Sequence, residues 1–197
     1  MIKMTENKIK KTKEQRLMNP MREIVIEKVV LNIGVGKEKS NMDKGIKLLK
    51  KLTNDRVPIK TTTNKRIQAW SLRPGLAIGV KVTLRNIKSN MELIKNLLDA
   101  NEYILSKKAF DENGNISFGV KEYITIPGIK YDPELGMMGF QVTIRLKRKA
   151  GLRVKLRAKT ALKIGNSHRI THEESINYLK KFFDIKIKEE LEEEDED

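Results

Sequence analysis

The chain contains no cysteine. That excludes disulfide staples, thiolate nucleophiles and cysteine-ligated zinc, and it fits a reducing cytosol. Aromatic residues are scarce, at 5%, so any core is mainly aliphatic. No apolar run resembles a membrane span, and the opening residues MIKMTENKIKKTKEQR are basic but lack the apolar stretch of a secretion signal. Catalytic signatures are missing too. There is no G-x-S-x-G elbow, and most carboxylates sit beside lysines on presumed helix faces, where solvated charge is the default. These absences predict a soluble cytoplasmic protein that is not an enzyme, with no catalytic residues and no cofactor.

What is abundant is positive charge. The 197 residues hold 41 Lys and Arg against 26 Asp and Glu, for a net charge of +15 and a pI near 9.8. Eight of the acids lie between Glu189 and Asp197, so the remainder carries about +23. A field of that sign attracts polyanions, of which nucleic acid is the commonest in the cytosol. The length suits one domain with tails. The expected division is a basic arm over residues 1–19, a single domain over 20–187 and an acidic tail over 188–197. The tail reads either as a solvated end or as a docking segment.

Patterning gives the elements. REIVIEKVVLNIGVG is β-branched and ends at Gly34 and Gly36, as a strand does. Ser40 and Asp43 resemble a capping box ahead of a helix whose Ile46, Leu49 and Leu52 share a face. IKTTTNKRIQAWSLRPG has no steady period. VKVTLRN alternates, with Val80, Val82 and Leu84 opposite Lys81, Thr83 and Arg85. Ser89 and Glu92 suggest a second box, before a stripe of Met91, Ile94, Leu97 and Leu98. Asn113-Gly114 marks a hairpin turn. FQVTIRLKR alternates with Val142, Ile144 and Leu146 facing in, turns near Gly151 and runs into LRVKLRA. Thr171 and Glu174 cap a last helix carrying Ile176, Leu179 and Phe183. The fold class is therefore α+β, a mostly antiparallel sheet with helices packed on one face. The opposite face is basic and polar, and extended loops adjoin it.

The motifs narrow the chemistry. LNIGVGKEKSN looks like a phosphate cradle, but Gly36-Lys37 is followed by Glu38 and no glycine stands five residues before Gly36, so it is no Walker loop. Lys39 occupies the third glycine position of a dinucleotide fingerprint. Two readings remain: a strand end that needs sharp turning, or a close approach to RNA phosphate aided by Lys37 and Lys39. His168 and His172, the only two histidines, straddle a helix start and lack the H-E-x-x-H pattern, so no metal is expected. Gln141 to Lys163 holds nine basic residues and no acid. Such one-sided charge over a hairpin suits an anionic surface. Trp70, the single tryptophan, lies in a basic loop and reads either as a core anchor or as a base-stacking platform.

Four stretches in order, IEKVVLNIGVG (residues 26–36), LRPGLAIGVKVTLR (72–85), FDENGNISFGVKEYITIPGIKYD (110–132) and GMMGFQVTI (136–144), resemble the universal L-five family of the large ribosomal subunit. The resemblance covers about residues 19–185. The longer stretch after Arg148 is similar to the archaeal and eukaryotic branch. The resemblance implies a structural protein of the central protuberance that binds 5S rRNA and anchors it to the large-subunit rRNA. It implies 5S contacts at Asn32, Lys37, Lys39, Lys81, Thr83 and Arg85. A long loop, with Thr63, Lys65, Arg66, Gln68, Trp70 and Arg73, would reach P-site tRNA. A basic hairpin, with Arg145, Lys147, Arg148, Arg153, Lys155, Arg157 and Lys159, would add rRNA contacts. Neighbouring central-protuberance proteins are implied as partners, as is a small-subunit head protein at an intersubunit bridge near YDPELG. Two other classes fit parts of the sequence: a basic architectural nucleic-acid-binding protein outside the ribosome, and a phosphate-handling enzyme resting only on the G-x-G-K loop.

Overall fold

The computed structural model describes residues 19–149, 151 and 165–188. The basic arm through residue 18 and the acidic tail from residue 189 lie outside the described residues. So does the second strand of the expected hairpin, with Arg153, Lys155, Arg157 and Lys159.

The strands among the described residues are β1 (Ile24–Gly34), β2 (Ile59–Thr62), β3 (Ala77–Leu84), β4 (Ile104–Leu105), β5 (Asn115–Val120), β6 (Phe140–Arg148) and β7 (Lys186–Ile187). Five of them form the main sheet in the order β2-β3-β1-β6-β5, and every neighbouring pair is antiparallel. Helices α1 (Lys39–Leu52), α2 (Met91–Asp99) and α3 (His172–Phe183) bury apolar stripes against one face. A short parallel pair, β4 with β7, ties the end of α2 to the end of α3. The α+β class is as the patterning indicates.

Alternation explains the core. Leu31 and Ile33, Val80, Val82 and Leu84, and Val142, Ile144 and Leu146 all point to the helical side, where they meet Leu48, Leu49, Ile94, Leu97, Leu98 and Leu179 in one cluster. Gly45 lets α1 lie close, since a Cβ there would sit 3.2 Å from Val35 Cγ1. At α3 the expected capping box is present, with Thr171 Oγ1 accepting from Glu174 N and the Glu174 carboxylate accepting from Thr171 N.

Several local expectations are corrected. α1 starts one residue before Ser40, with Glu38 as N-cap and no side-chain cap bond. Ser89 Oγ donates to Asn86 O, and α2 is entered through a 3-10 turn with Asn90 as N-cap. Both boxes fail because the chain is already turning when it reaches the serine. Met91 is partly exposed, one turn before the buried stripe begins at Ile94. The Asn113-Gly114 turn forms, with Gly114 at φ +75°, but only a single bridge, Phe110 with Ile116, precedes β5 on the other side. Strand β2, short and mostly exposed, was not legible from the aperiodic loop that contains it.

Candidate nucleic-acid interface

No helix covers the second face of the sheet among the described residues, and strand register organises its side chains into rows. One row runs Ile59, Lys81, Asn32, Gln141, Gly119 across all five strands. The next runs Thr83, Val30, Thr143, Ser117, with Ser117 Oγ and Thr143 Oγ1 hydrogen-bonded at 3.1 Å. A third runs Lys28, Arg145, Asn115. Antiparallel pairing places each row's side chains within about 5 Å of the next strand's. The surface is thus a grid of amides, hydroxyls and cations, with Lys81 fully outward and Asn32 and Thr83 half-buried. Arg85 lies exposed just past the end of β3, on the same side as Lys81 and Thr83 by alternation.

The rows also contain residues that the sequence reading missed: Lys28, Ser117, Gln141 and Thr143. The outward parity of β5 and β6 carried that signal, since each alternates with a buried neighbour.

Glu27 is the exception on this face. The β1–β6 register shifts between Ile26 and Lys28, so Glu27 is a bulged residue, aimed beside Arg145. Its Oε2 lies 3.0 Å from Arg145 Nε, off the N–H direction, so that this enclosed oxygen accepts no hydrogen bond.

The opening glycine loop adjoins the grid but is no amide cradle. Both Val35 N and Gly36 N donate to Ile78 O, each at 3.1 Å, so these two amides are unavailable to a phosphate. Gly36 takes φ +72°, which supports the reading of a strand end that turns sharply. The Lys37 and Lys39 side chains remain exposed beside it.

The long loop is a second arm of β2 and β3, not a floppy excursion. Thr63 N donates to Leu76 O, Gly75 N to Thr63 O, and Ile67 and Leu72 exchange both backbone bonds. The Thr63 hydroxyl also bonds Arg73 O. The tip, residues 68–71, holds Trp70 outward at 66% exposure, which removes the core-anchor reading. Lys65, Arg66, Gln68 and Arg73 are exposed around it. Lys37 Nζ donates to Trp70 O at 3.3 Å, so the two loops meet.

The basic hairpin divides. Arg145 and Lys147 stand on the open face, but Arg148 faces the helical side and is 6% exposed. Its guanidinium donates to Arg22 O (2.9 Å), His168 O (3.1 Å), Arg169 O (3.1 Å) and the Glu174 carboxylate (2.8 Å). This corrects its grouping with the outward cations. Arg148 follows Leu146 by two residues, so the strand period itself turns it inward.

The two histidines are not a pair. His168 bonds Gly151 O at 3.1 Å, while His172 bonds Lys107 O at 3.2 Å and packs edge-on to Phe110. No group of three possible metal ligands occurs among the described residues. The YDPELG loop is held from below by Tyr123, whose hydroxyl accepts from Asp132 N, and from α1 by Lys47 to Glu134 at 2.8 Å. The bond to Glu134 raises the pKa of Lys47 above the ordinary lysine value.

Residues 19–73 match the family model described as ribosomal protein L5, and residues 77–178 match the model of that ribosomal family's C-terminus. The junction falls at the base of the Trp70 loop. A relative from Nanoarchaeum equitans, named large ribosomal subunit protein uL5, is 44% identical over 86% of this chain and 98% of its own. Relatives of the same name from Sulfolobus acidocaldarius and Archaeoglobus fulgidus are 40% and 42% identical, over 89% and 82% of this chain and 97% and 88% of theirs.

Proposed function

Because this chain belongs to the ribosomal protein L5 family, a non-enzymatic constituent of the large subunit of the cytoplasmic ribosome, we propose that its uncovered sheet face binds 5S rRNA and helps anchor it to the large-subunit rRNA. The observation that carries this is the pair of rows Lys81–Asn32–Gln141 and Thr83–Val30–Thr143–Ser117 on a face no helix covers among the described residues. Lysines and arginines supply phosphate contacts and the salt dependence that goes with them. Asn32 and Thr83, half-buried and held in register by three strands, fix the orientation of a folded, non-helical RNA. Lys37 and Lys39 extend the phosphate track beyond the strand end, and Arg85 extends it past β3. Arg145 and Lys147 continue it along β6.

The Trp70 loop reaches P-site tRNA in this reading, with Thr63 shaping the loop and Lys65, Arg66, Gln68 and Arg73 facing the ligand. An exposed indole at the tip of a closed hairpin suits stacking better than packing. The Asp132–Gly136 loop, with exposed Tyr131 and Met137 beside it, faces the small-subunit head protein.

The test is a titration against 5S rRNA with duplex DNA of equal length as competitor, at two salt concentrations. Wild type prefers 5S rRNA by orders of magnitude, and the preference survives high salt. Asn32→Ala and Thr83→Ala each weaken 5S binding without changing the thermal transition. Even competition between the polyanions, with both fading as salt rises, would leave only charge and favour an architectural protein.

A further inference from the structure

Gly119 is a glycine that the fold does not require. Of the twelve glycines, six hold a positive φ. At Gly45, Gly79 and Gly139 a Cβ would come within 3.2 Å of a neighbour. Gly34 ends β1 and Gly165 caps a short 3-10 helix. Gly119 alone lies inside a strand, without a positive φ, where a Cβ would meet nothing within 4 Å. Glycine in a strand interior costs chain entropy and packs no side chain, so an alanine would serve the fold as well or better. A bare strand position with room to spare marks a place where something outside the fold comes close to the backbone.

Its position says what comes close. Gly119 closes the row Lys81, Asn32, Gln141, Gly119 on the open face, opposite Gln141 and on the strand at the edge of the sheet. With no side chain it is a notch in the grid. The Gln141 side chain is exposed beside it, and Lys121 is exposed two residues further along. The backbone adds polar groups of its own. Asp111 N donates to Asn115 O at 2.8 Å on the outer side of β5. By alternation Ser117 and Gly119 direct their N–H and C=O the same way, away from β6. Among the described residues neither group of Gly119 has a backbone partner on that side.

We infer that Gly119 is a docking notch for one nucleoside of the bound RNA, which lies directly on the bare peptide with the Gln141 amide at its polar edge and Lys121 near its phosphate. The inference rests on the assignment of this face to 5S rRNA. A glutamine amide both donates and accepts, as do the outward N–H and C=O of Gly119, so the notch matches the mixed donors and acceptors of a base edge or a ribose hydroxyl. A nucleotide splayed out of a loop or bulge can reach such a surface, which is how folded RNA is commonly held. Any side chain at residue 119 would lift the nucleoside off the backbone and break these contacts. The lysines and arginines of the face supply attraction, and the notch fixes where one nucleotide sits.

The experiment compares full-length wild type, Gly119→Ala and Gly119→Val by thermal melting, 5S rRNA titration and hydroxyl-radical footprinting of the bound RNA. Both variants are expected to melt at or above the wild-type temperature, since the added side chain meets open space and stiffens the unfolded chain. Gly119→Ala is expected to bind 5S rRNA about tenfold more weakly, as an intruding methyl group does in a close-packed contact, and Gly119→Val more weakly still. The salt slope stays as in wild type, because no charge changes. In the footprint, one or two neighbouring riboses lose protection while the rest keep it. Wild-type affinity in both variants overturns the inference. So does a lowered melting temperature in Gly119→Ala, which would give the glycine a role in the fold, or a footprint unchanged at every ribose. If Asn32→Ala and Thr83→Ala weaken 5S binding while the Gly119 variants do not, the face stands and the notch falls. If wild type does not select 5S rRNA, the face itself falls.

Discussion

Replacing Arg148 separates two roles that a cationic residue on a basic strand can have. Its guanidinium joins four groups: the carbonyls of Arg22, His168 and Arg169, and the Glu174 carboxylate within the α3 capping box. Arg148→Met leaves all four without this donor. Removing one partner of a buried charged pair costs about 3–5 kcal/mol. Glu174 is 38% exposed and recovers some hydration, which places the loss near the lower end, about 3 kcal/mol. For a domain of this size each kcal/mol lowers Tm by about 2–4 °C, so the transition followed by circular dichroism should fall by roughly 6–12 °C. Arg148→Lys should lose nearly as much, because an ammonium cannot span the planar fork of acceptors. The folded fraction of either variant should bind 5S rRNA as wild type does. A Tm within about 2 °C of wild type together with lost 5S affinity would mean that the guanidinium faces RNA, and the reasoning would be wrong.

Other expectations concern the open face and its turns. A Lys65→Ala, Arg66→Ala, Trp70→Ala triple variant should keep 5S affinity and impair translation, and loss of 5S binding would move the loop into the anchoring site. Gly79→Ala should destabilise the fold by about 1–3 kcal/mol in urea titration, since its Cβ would sit 2.8 Å from Ile33 O and 2.7 Å from Thr61 Oγ1; unchanged stability would show that β1, β2 and β3 are not so closely set. Asp111 accepts from Asn115 Nδ2 at 3.0 Å, which together with further bonds from this turn holds its pKa below the ordinary aspartate value. A carboxyl depressed in the folded state stabilises fully above the unfolded pKa, and that contribution fades as pH falls through the lower folded value. A side-chain carboxyl titration by NMR should therefore place the Asp111 midpoint below that of an unstructured aspartate, and a midpoint at or above it would refute the turn's geometry.

Legibility in the sequence followed the range of the interactions involved. Strands β3 and β6 could be read because period-two alternation is local and each buries one face, and β1 because it is β-branched and ends in glycines. The Thr171–Glu174 box was legible and forms, while the boxes at Ser40 and Ser89 were legible and do not. The motif is the same in all three, and the path of the incoming chain differs. Charge alone groups Arg148 with the outward cations, but Phe140, Val142, Ile144 and Leu146 set a strand parity that turns it inward. Strand β2 had no period to read, because a short edge strand buries almost nothing.

Composition and short-range periodicity were enough for the polyanion-attracting charge, the aliphatic core and the α+β class, and four ordered stretches between residues 26 and 144 carried the resemblance to the family. Long-range contacts set the rest: Trp70 points outward at the tip of a closed loop, Lys37 meets it, and the Val35 and Gly36 amides are occupied by Ile78. Antiparallel register likewise fixes which outward residues share a row, because it joins positions such as Asn32 and Gln141 that are far apart in the chain. Glu27 shows the same division at a single residue. Alternation sets where a strand's side chains point, and one extra residue opposite a partner strand resets it.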